Sequence, residues 1–197
     1  MKPILSSSLI NCHAEGMDSI VFKESSPMVR MFVCRPEHTL WRNHLDDGES
    51  FSVAIHMHRQ DITMVPLCGQ IWNVFFRRGA PQFSLSAFDY SSQIADGKGG
   101  FAPCGSRNEG LEMYPLCAPL FLRGDESHTV YVPKGQVAAW LICEGSPTQD
   151  YSSVCYTNDR NLDKTDFSSL YRPMTAERLE EDMVISSGQI AGARTHL

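Results

Sequence analysis

The sequence lacks several features that would direct its reading elsewhere. No run of Lys or Arg is longer than the Arg77-Arg78 pair, and the formal net charge is −6. A nucleic-acid or anionic-membrane partner needs a basic footprint, so neither is expected. No apolar stretch approaches the ~20 residues of a membrane helix. The segment Met1–Gly16 carries one Lys and a broken apolar run, too short and too polar for a signal-peptide core. The seven cysteines are odd in number and form no Cys-x-x-Cys pair. Several stand in apolar runs, such as Cys68 after Leu67 and Cys143 after Ile142, and read as buried reduced thiols. No Gly-x-Ser-x-Gly occurs, and Gly97-Lys98-Gly99-Gly100 lacks the spacing of a phosphate-cradling loop. These absences predict a soluble, cytoplasmic protein.

What is present centres on His56-Met57-His58-Arg59-Gln60-Asp61. From Phe51 to His58 the residues alternate, with Phe51, Val53, Ile55 and Met57 on one set and Ser52, Ala54, His56 and His58 on the other. That is the period-two pattern of a β-strand. Both imidazoles therefore share a face on which Ser52 and Ala54 leave room for a pocket. Two such histidines can share one metal ion if a third ligand arrives from elsewhere; otherwise they are polar or structural residues.

At 197 residues the chain suits one domain with a substantial core. Residues 1–18 read as a loosely structured lead-in. Ser19–Phe22, Met28–Cys34, Ile62–Leu67 and Gln70–Arg77 read as strands, the last with Trp72, Val74 and Phe76 on one side and Asn73 and Phe75 on the other. Strands at such short intervals predict an all-β sandwich or barrel. Tyr90–Pro119, rich in Gly, Ser and Pro, reads as an elaborated loop region with two short strands. Order returns through Leu120–Leu122, His128–Pro133 and Val137–Glu144. Because His128 opens a strand after a Gly124–Ser127 turn, it is the candidate third ligand. Residues 151–157 add a strand and close a β domain spanning 19–157. The extension 158–197 carries a helix over 175–186, with Thr175 as N-cap and Glu177 near its positive end.

Together these blocks resemble the cupin superfamily. Its first motif has a Gly, His-x-His on one strand, an acidic residue and a closing Gly, matched here by Gly48, His56, His58, Asp61 and Gly69. Its second has a further His near a Pro-x-Gly turn, matched by His128 and Pro133-Lys134-Gly135. Two departures stand out. The motif's Glu position holds Ile62, with the carboxylate one residue earlier at Asp61, and no His follows Gly135.

The resemblance implies a double-stranded β-helix, or jelly roll, with a C-terminal helix. It implies one divalent transition metal, iron preferred with nickel, manganese or zinc as alternatives, held by His56, His58 and His128. Asp61 either joins them, orients a ligand histidine or pairs with Arg59. Three neutral imidazoles without a carboxylate are similar to the iron centres of the cysteine dioxygenase branch and leave positions open for substrate or dioxygen. Gln60 and Glu126 are candidate proton-moving or orienting residues, and Arg59 and Arg123 are candidates to hold a substrate carboxylate. His13, His38, His44 and His196 fall in loops or the tail and are not counted as ligands. The expected function is dioxygenase-type oxidation of a small molecule, with lyase or isomerase chemistry next. The alternative is a non-catalytic binding or sensor module. Cupins commonly pair through edge strands, so a homodimer is also implied.

Overall fold

Along Met28–Cys34, Met31 and Val33 pack into one apolar cluster while Phe32 and Cys34 pack into another. This two-sided burial, a direct result of the strand period, organises the molecule. The computed structural model describes residues 2–37, 55–77, 83–90, 101–147, 154–157 and 168–194. Its strands are β1 (Leu9–Ile10), β2 (Met17–Lys23), β3 (Met28–Cys34), β4 (Ile55–His56), β5 (Gln60–Cys68), β6 (Trp72–Arg77) and β7 (Phe83–Tyr90). They continue with β8 (Phe101–Pro115), β9 (Leu120–Leu122), β10 (Ser127–Tyr131), β11 (Ala138–Pro147), β12 (Val154–Thr157) and β13 (Arg172–Pro173). A helix, α1 (Ala176–Arg194), ends the described chain.

The strands form a seven-stranded sheet, β13-β1-β2-β3-β11-β5-β9, and a closed ring, β10-β4-β12-β7-β8-β6. The larger core lies between them, joining Phe32, Ile62, Met64, Trp140 and Ile142 of the first to Phe75 and Val130 of the second. The smaller core joins Ile20, Met31, Val33 and Ala139 to Leu179 and Ile190 of α1. The described residues form an all-β fold of two antiparallel sheets, one closed into a ring, with one C-terminal helix, as the sequence predicts.

Several local expectations change. The Tyr90–Pro119 loop region is largely strand: β8 runs for fifteen residues and pairs with both β6 and β7. Neighbours on each side satisfy its backbone groups, which overrides its Gly- and Pro-rich composition. Pro103 lies beyond the stretch paired with β6, where a missing N–H disturbs only one ladder, and a register shift there takes up Cys104. The first eighteen residues are no loose lead-in either, since β1 joins the sheet and Cys12 and Ala14 are buried. His38, His44, His196, Gly48 and Phe51–Ala54 lie outside the described residues.

Helix α1 is capped as expected, Arg178 N donating to Thr175 Oγ1 at 3.2 Å, but it continues past Ser186 to Arg194. Leu179, Asp182, Ser186 and Ile190, spaced by three or four residues, all turn toward the sheet. Packing of that face overrides the weak propensity of Ser186-Ser187-Gly188.

Charge also fastens this helix. Arg35 Nη2 bonds Asp182 Oδ1 at 2.8 Å and Glu181 Oε2 at 3.0 Å, while Arg178 Nε donates to Asp18 Oδ2 at 2.6 Å. Asp18 and Asp182 are both fully buried. Burial first, and the neighbouring Asp18 second, push the Asp182 carboxyl up to about 7. Its Oδ2 has no partner as a carboxylate, whereas the protonated acid can donate to Asp18.

Two predictions follow from these features. Gly69 lies at φ +79°, and a Cβ there would collide with the Val137 carbonyl oxygen and stand 2.7 Å from Ala138 Cα. Gly69→Ala is expected to destabilise the chain by more than about 2 kcal/mol in urea unfolding; a smaller loss would show that β11 yields easily. For Asp182, the folded state keeps a proton that the unfolded state releases above its ordinary value of 3.8. Its contribution to stability therefore falls as pH rises from near 4 through about 7. Asp182→Asn keeps a donor without the charge, so its urea midpoint should change less between about pH 5 and about pH 7.5 than the parent's. Parallel pH profiles would refute this account.

Candidate metal centre

The three candidate histidines meet because β10 lies between β4 and β6. His128 on β10 pairs directly with His56 on β4 and, across its other edge, with Phe75 on β6. Ser127–Val130 are all buried, and His128 is 3% exposed. His58 stands just past the end of β4, and its N–H donates to the Gly124 carbonyl at 2.9 Å. Gly124 N–H in turn donates to Asp61 Oδ1 at 2.9 Å. Asp61 thus clasps the turn leading to His128 against the segment carrying His58.

The rings are close on all sides. Centroids are 4.7 Å apart for His56 and His58, 4.9 Å for His56 and His128, and 5.1 Å for His58 and His128. One ring nitrogen from each lies within 4.8 Å of the others. His58 Nε2 and His128 Nε2 are 2.8 Å apart. Neighbouring nitrogens bonded to one ion at ~2.1 Å would stand about 3 Å apart at octahedral and about 3.4 Å at tetrahedral angles, so this pair would open by a few tenths of an ångström to share an ion.

The electrostatics suit the same purpose. Burial first, and the nearby His56 second, hold His58 and His128 well below the usual imidazole range. Both are neutral at physiological pH, the state in which imidazole donates a lone pair. Asn73 Oδ1 lies 2.8 Å from His128 Nδ1. A carbonyl oxygen only accepts, so the proton sits on Nδ1 and Nε2 presents its lone pair to the group. Asn73 is fully buried on β6. In the sequence it is only the alternate face of a strand, and nothing there marks it as a partner of His128.

His13 is the other residue that sequence reasoning passes over. It comes from the loop after β1, stacks on His56 at 6.1 Å with 26° between planes, and meets Tyr171 edge-on at 5.5 Å. Its Nδ1 is 2.8 Å from the Tyr171 hydroxyl. Burial, then His56 and Arg30, lower it to about 3. Asn11, His13 and Tyr171 all hold positive φ, at 54°, 69° and 54°. Such left-handed residues cluster where surrounding structure imposes them. His13 walls the site without joining the three-nitrogen group, and no sequence spacing signals that wall.

The other nominated residues are placed elsewhere. Asp61 cannot turn to the rings, because Ile62 beside it points into the inter-sheet core and successive strand side chains oppose each other. The aliphatic Ile62 occupies the inward position where the resemblance would put a carboxylate. Glu126 Oε2 accepts from Arg123 N at 2.9 Å and caps the turn. Arg123 and Asp125 form an exposed pair at 3.4 Å, and Arg59 is exposed. Gln60 turns inward and donates to Glu144 Oε2 at 2.6 Å. Cys12, buried nearby, is pushed up to about 12 mainly by burial and remains a thiol rather than a thiolate ligand.

The donor set is therefore three neutral imidazoles, which suits a divalent first-row transition ion with positions left over. Asn73→Ala is expected to weaken metal retention about 10- to 100-fold by freeing the His128 ring, measured by chelator competition. Unchanged retention would mean that Asn73 does not orient the ligand.

No protein-family model matches the sequence, and a search of curated proteins found no match. Among solved structures, 24 chains match. One is a hydroxypropylphosphonic acid epoxidase from S. wedmorenis, 14% identical, TM-score 0.37, over 72% of this chain and 56% of that one. Another is an 11S globulin from Wrightia tinctoria described with an auxin binding site, 8% identical, TM-score 0.41, over 73% of this chain and 31% of that one.

Proposed function

We propose that this chain is a cupin metalloenzyme that oxidises a small molecule with dioxygen, using one divalent transition ion, iron by preference, held by His56, His58 and His128. The observation that carries the reading is the convergence of three neutral imidazoles from β4, its outgoing segment and β10. When bound, such an ion supplies Lewis-acid and redox chemistry at its open positions. The chain's own residues do the positioning. Asn73 fixes the His128 tautomer, the Asp61–Gly124–His58 clasp sets the approach of His58, and His13 with Tyr171 shields the back of His56.

Lyase and isomerase chemistry are supported less. They need a group that moves protons on the substrate, and Asp61 and Glu126 are both occupied by backbone N–H groups. A non-catalytic binding module remains the contrasting reading, distinguished by ligand-induced stabilisation without product. No helix among the described residues is long and apolar enough to cross a membrane; a cytoplasmic location is part of this proposal. So is pairing of two copies, for which β9 offers a sheet end with Phe121 exposed.

Elemental analysis of protein purified without chelator or affinity metal tests the reading, alongside the His56→Ala/His58→Ala variant. Near-stoichiometric iron, nickel or manganese in the parent, lost in the variant, is the expected result, with oxygen uptake in a substrate screen following for iron. Absence of metal in both, with no uptake on adding it back, would sink the metalloenzyme and leave the binding module.

A further inference from the structure

A second polar group faces the same interior. Arg30 stands two residues before Phe32 on β3, and Glu144 two residues after Ile142 on β11. Phe32 and Ile142 both belong to the inter-sheet core, so strand alternation turns Arg30 and Glu144 inward as well. Arg30 Nε lies 2.7 Å from Glu144 Oε1, and Gln60 Nε2 donates to Glu144 Oε2 at 2.6 Å. Both carboxylate oxygens are thus engaged, and the side chains of Arg30 and Glu144 are only 18% and 11% exposed.

One chain of contacts links this group to the histidines, and Gln60 also follows His58 by two residues in the sequence. The Arg30 guanidinium carbon stands 5.9 Å from the centre of the Phe32 ring, which is 6.0 Å from His13, itself stacked on His56. Gln60, Glu144, Arg30, Phe32, His13, His56 and His58 thus form one continuous line of contacts. The Arg30 charge also contributes to lowering both His58 and His13.

What the group offers a ligand follows from what it has left. Among the described residues, Arg30 Nη2 donates to the Met28 thioether at 3.0 Å, while its buried Nε, though close to Glu144 Oε1, makes no hydrogen bond of good geometry. Gln60 must place its amide nitrogen on Glu144, because a carboxylate only accepts, so its carbonyl oxygen is the remaining acceptor. Donors and an acceptor stand side by side, and Glu144 already balances the guanidinium charge.

We propose, resting on the reading of the histidines as a metal centre, that Arg30, Glu144 and Gln60 form the substrate-recognition edge beside it and select an uncharged carbonyl, hydroxyl or carboxamide group over a carboxylate. A neutral oxygen accepts from Arg30 without adding charge. A carboxylate in the same place would face Glu144, which already balances Arg30, so this edge itself offers it no net positive charge. Arg59 and Arg123, the sequence's candidates for holding a carboxylate, are on the surface.

The test uses benzamide and benzoate, which share a shape and differ in charge, in saturation-transfer NMR titrations of the full chain. Glu144→Gln removes the balancing charge, so the affinity for benzoate relative to benzamide should rise at least about tenfold over the parent. A metal ion's own attraction for benzoate is common to both chains and cancels in that comparison. Gln60→Ala, which leaves the ion pair intact, should weaken benzamide at least about threefold and serves if Glu144→Gln fails to fold. An unchanged ratio in Glu144→Gln, unchanged benzamide binding in Gln60→Ala, or binding of neither probe to the parent overturns the proposal. Metal content measured on the same samples separates the two readings. The expected ratio in a chain that takes up no metal would support the edge and refute the metalloenzyme, whereas stoichiometric metal with an unmoved ratio would refute the edge alone.

Discussion

The antiparallel pairing that sets His128 directly across from His56 is the constraint on which the site depends. In a ladder of period two, a slip of one residue would turn either imidazole to the opposite face. Yet β4 is only two residues long, too short to hold its register alone. The register is held from both ends instead. β10 pairs along its whole length with β6, and the turn before β10 is tied through Gly124 to His58 on one side and Asp61 on the other. The acidic residue beside the His-x-His pair thus bears on the histidine group by fixing backbone, its Oδ1 accepting from Gly124 N–H.

Much of this was legible in the sequence, for reasons that can be named. Alternation over Phe51–His58 predicted a shared face for both imidazoles, and their rings do meet at 4.7 Å, although β4 ends at His56 and Phe51–Ala54 lie outside the described residues; a turn before a β-branched run marked His128 as near the start of a strand. The cap at Thr175 and the strand Met28–Cys34 are local patterns with local causes, and both stand in the structure. What was illegible depends on contacts between distant segments. His13 reaches His56 only because Asn11, His13 and Tyr171 accept left-handed backbone in a crossing of the chain's two ends. Asn73 gains its role from the β6–β10 register, and Arg30 from its diagonal position to Glu144 across β3 and β11. Strand β8 reads as loop because composition reports propensity, while its hydrogen bonds come from neighbours on either side.

Three partly buried guanidinium groups, Arg30, Arg35 and Arg178, show one chemistry under different constraints. Arg35 and Arg178 are enclosed by carboxylates and serve attachment, bringing α1 onto the outer face of the seven-stranded sheet. Such a buried network is a weak source of net stability, because desolvation offsets most of its attraction, but it specifies where the helix lands. Arg30 meets one carboxylate on the opposite face of the same strand system and keeps part of its donor edge unengaged among the described residues. An edge of that kind in the interior, beside three neutral imidazoles, is poorly explained by stability alone.

The charge balance of that interior gives Glu144 a second consequence. Three imidazoles carry no negative charge, and Ile62, where a carboxylate ligand would point inward, contributes none. A divalent ion held by the histidines would therefore keep its full charge, in the same half-buried space as the Arg30 guanidinium. Two unbalanced positive centres there would repel with little solvent screening. By engaging Arg30 at 2.7 Å, Glu144 offsets that repulsion without occupying a ligand position. The negative charge absent from the ligand set would be supplied instead by Glu144 against Arg30, where it would favour metal binding while leaving the open positions of the ion to the substrate.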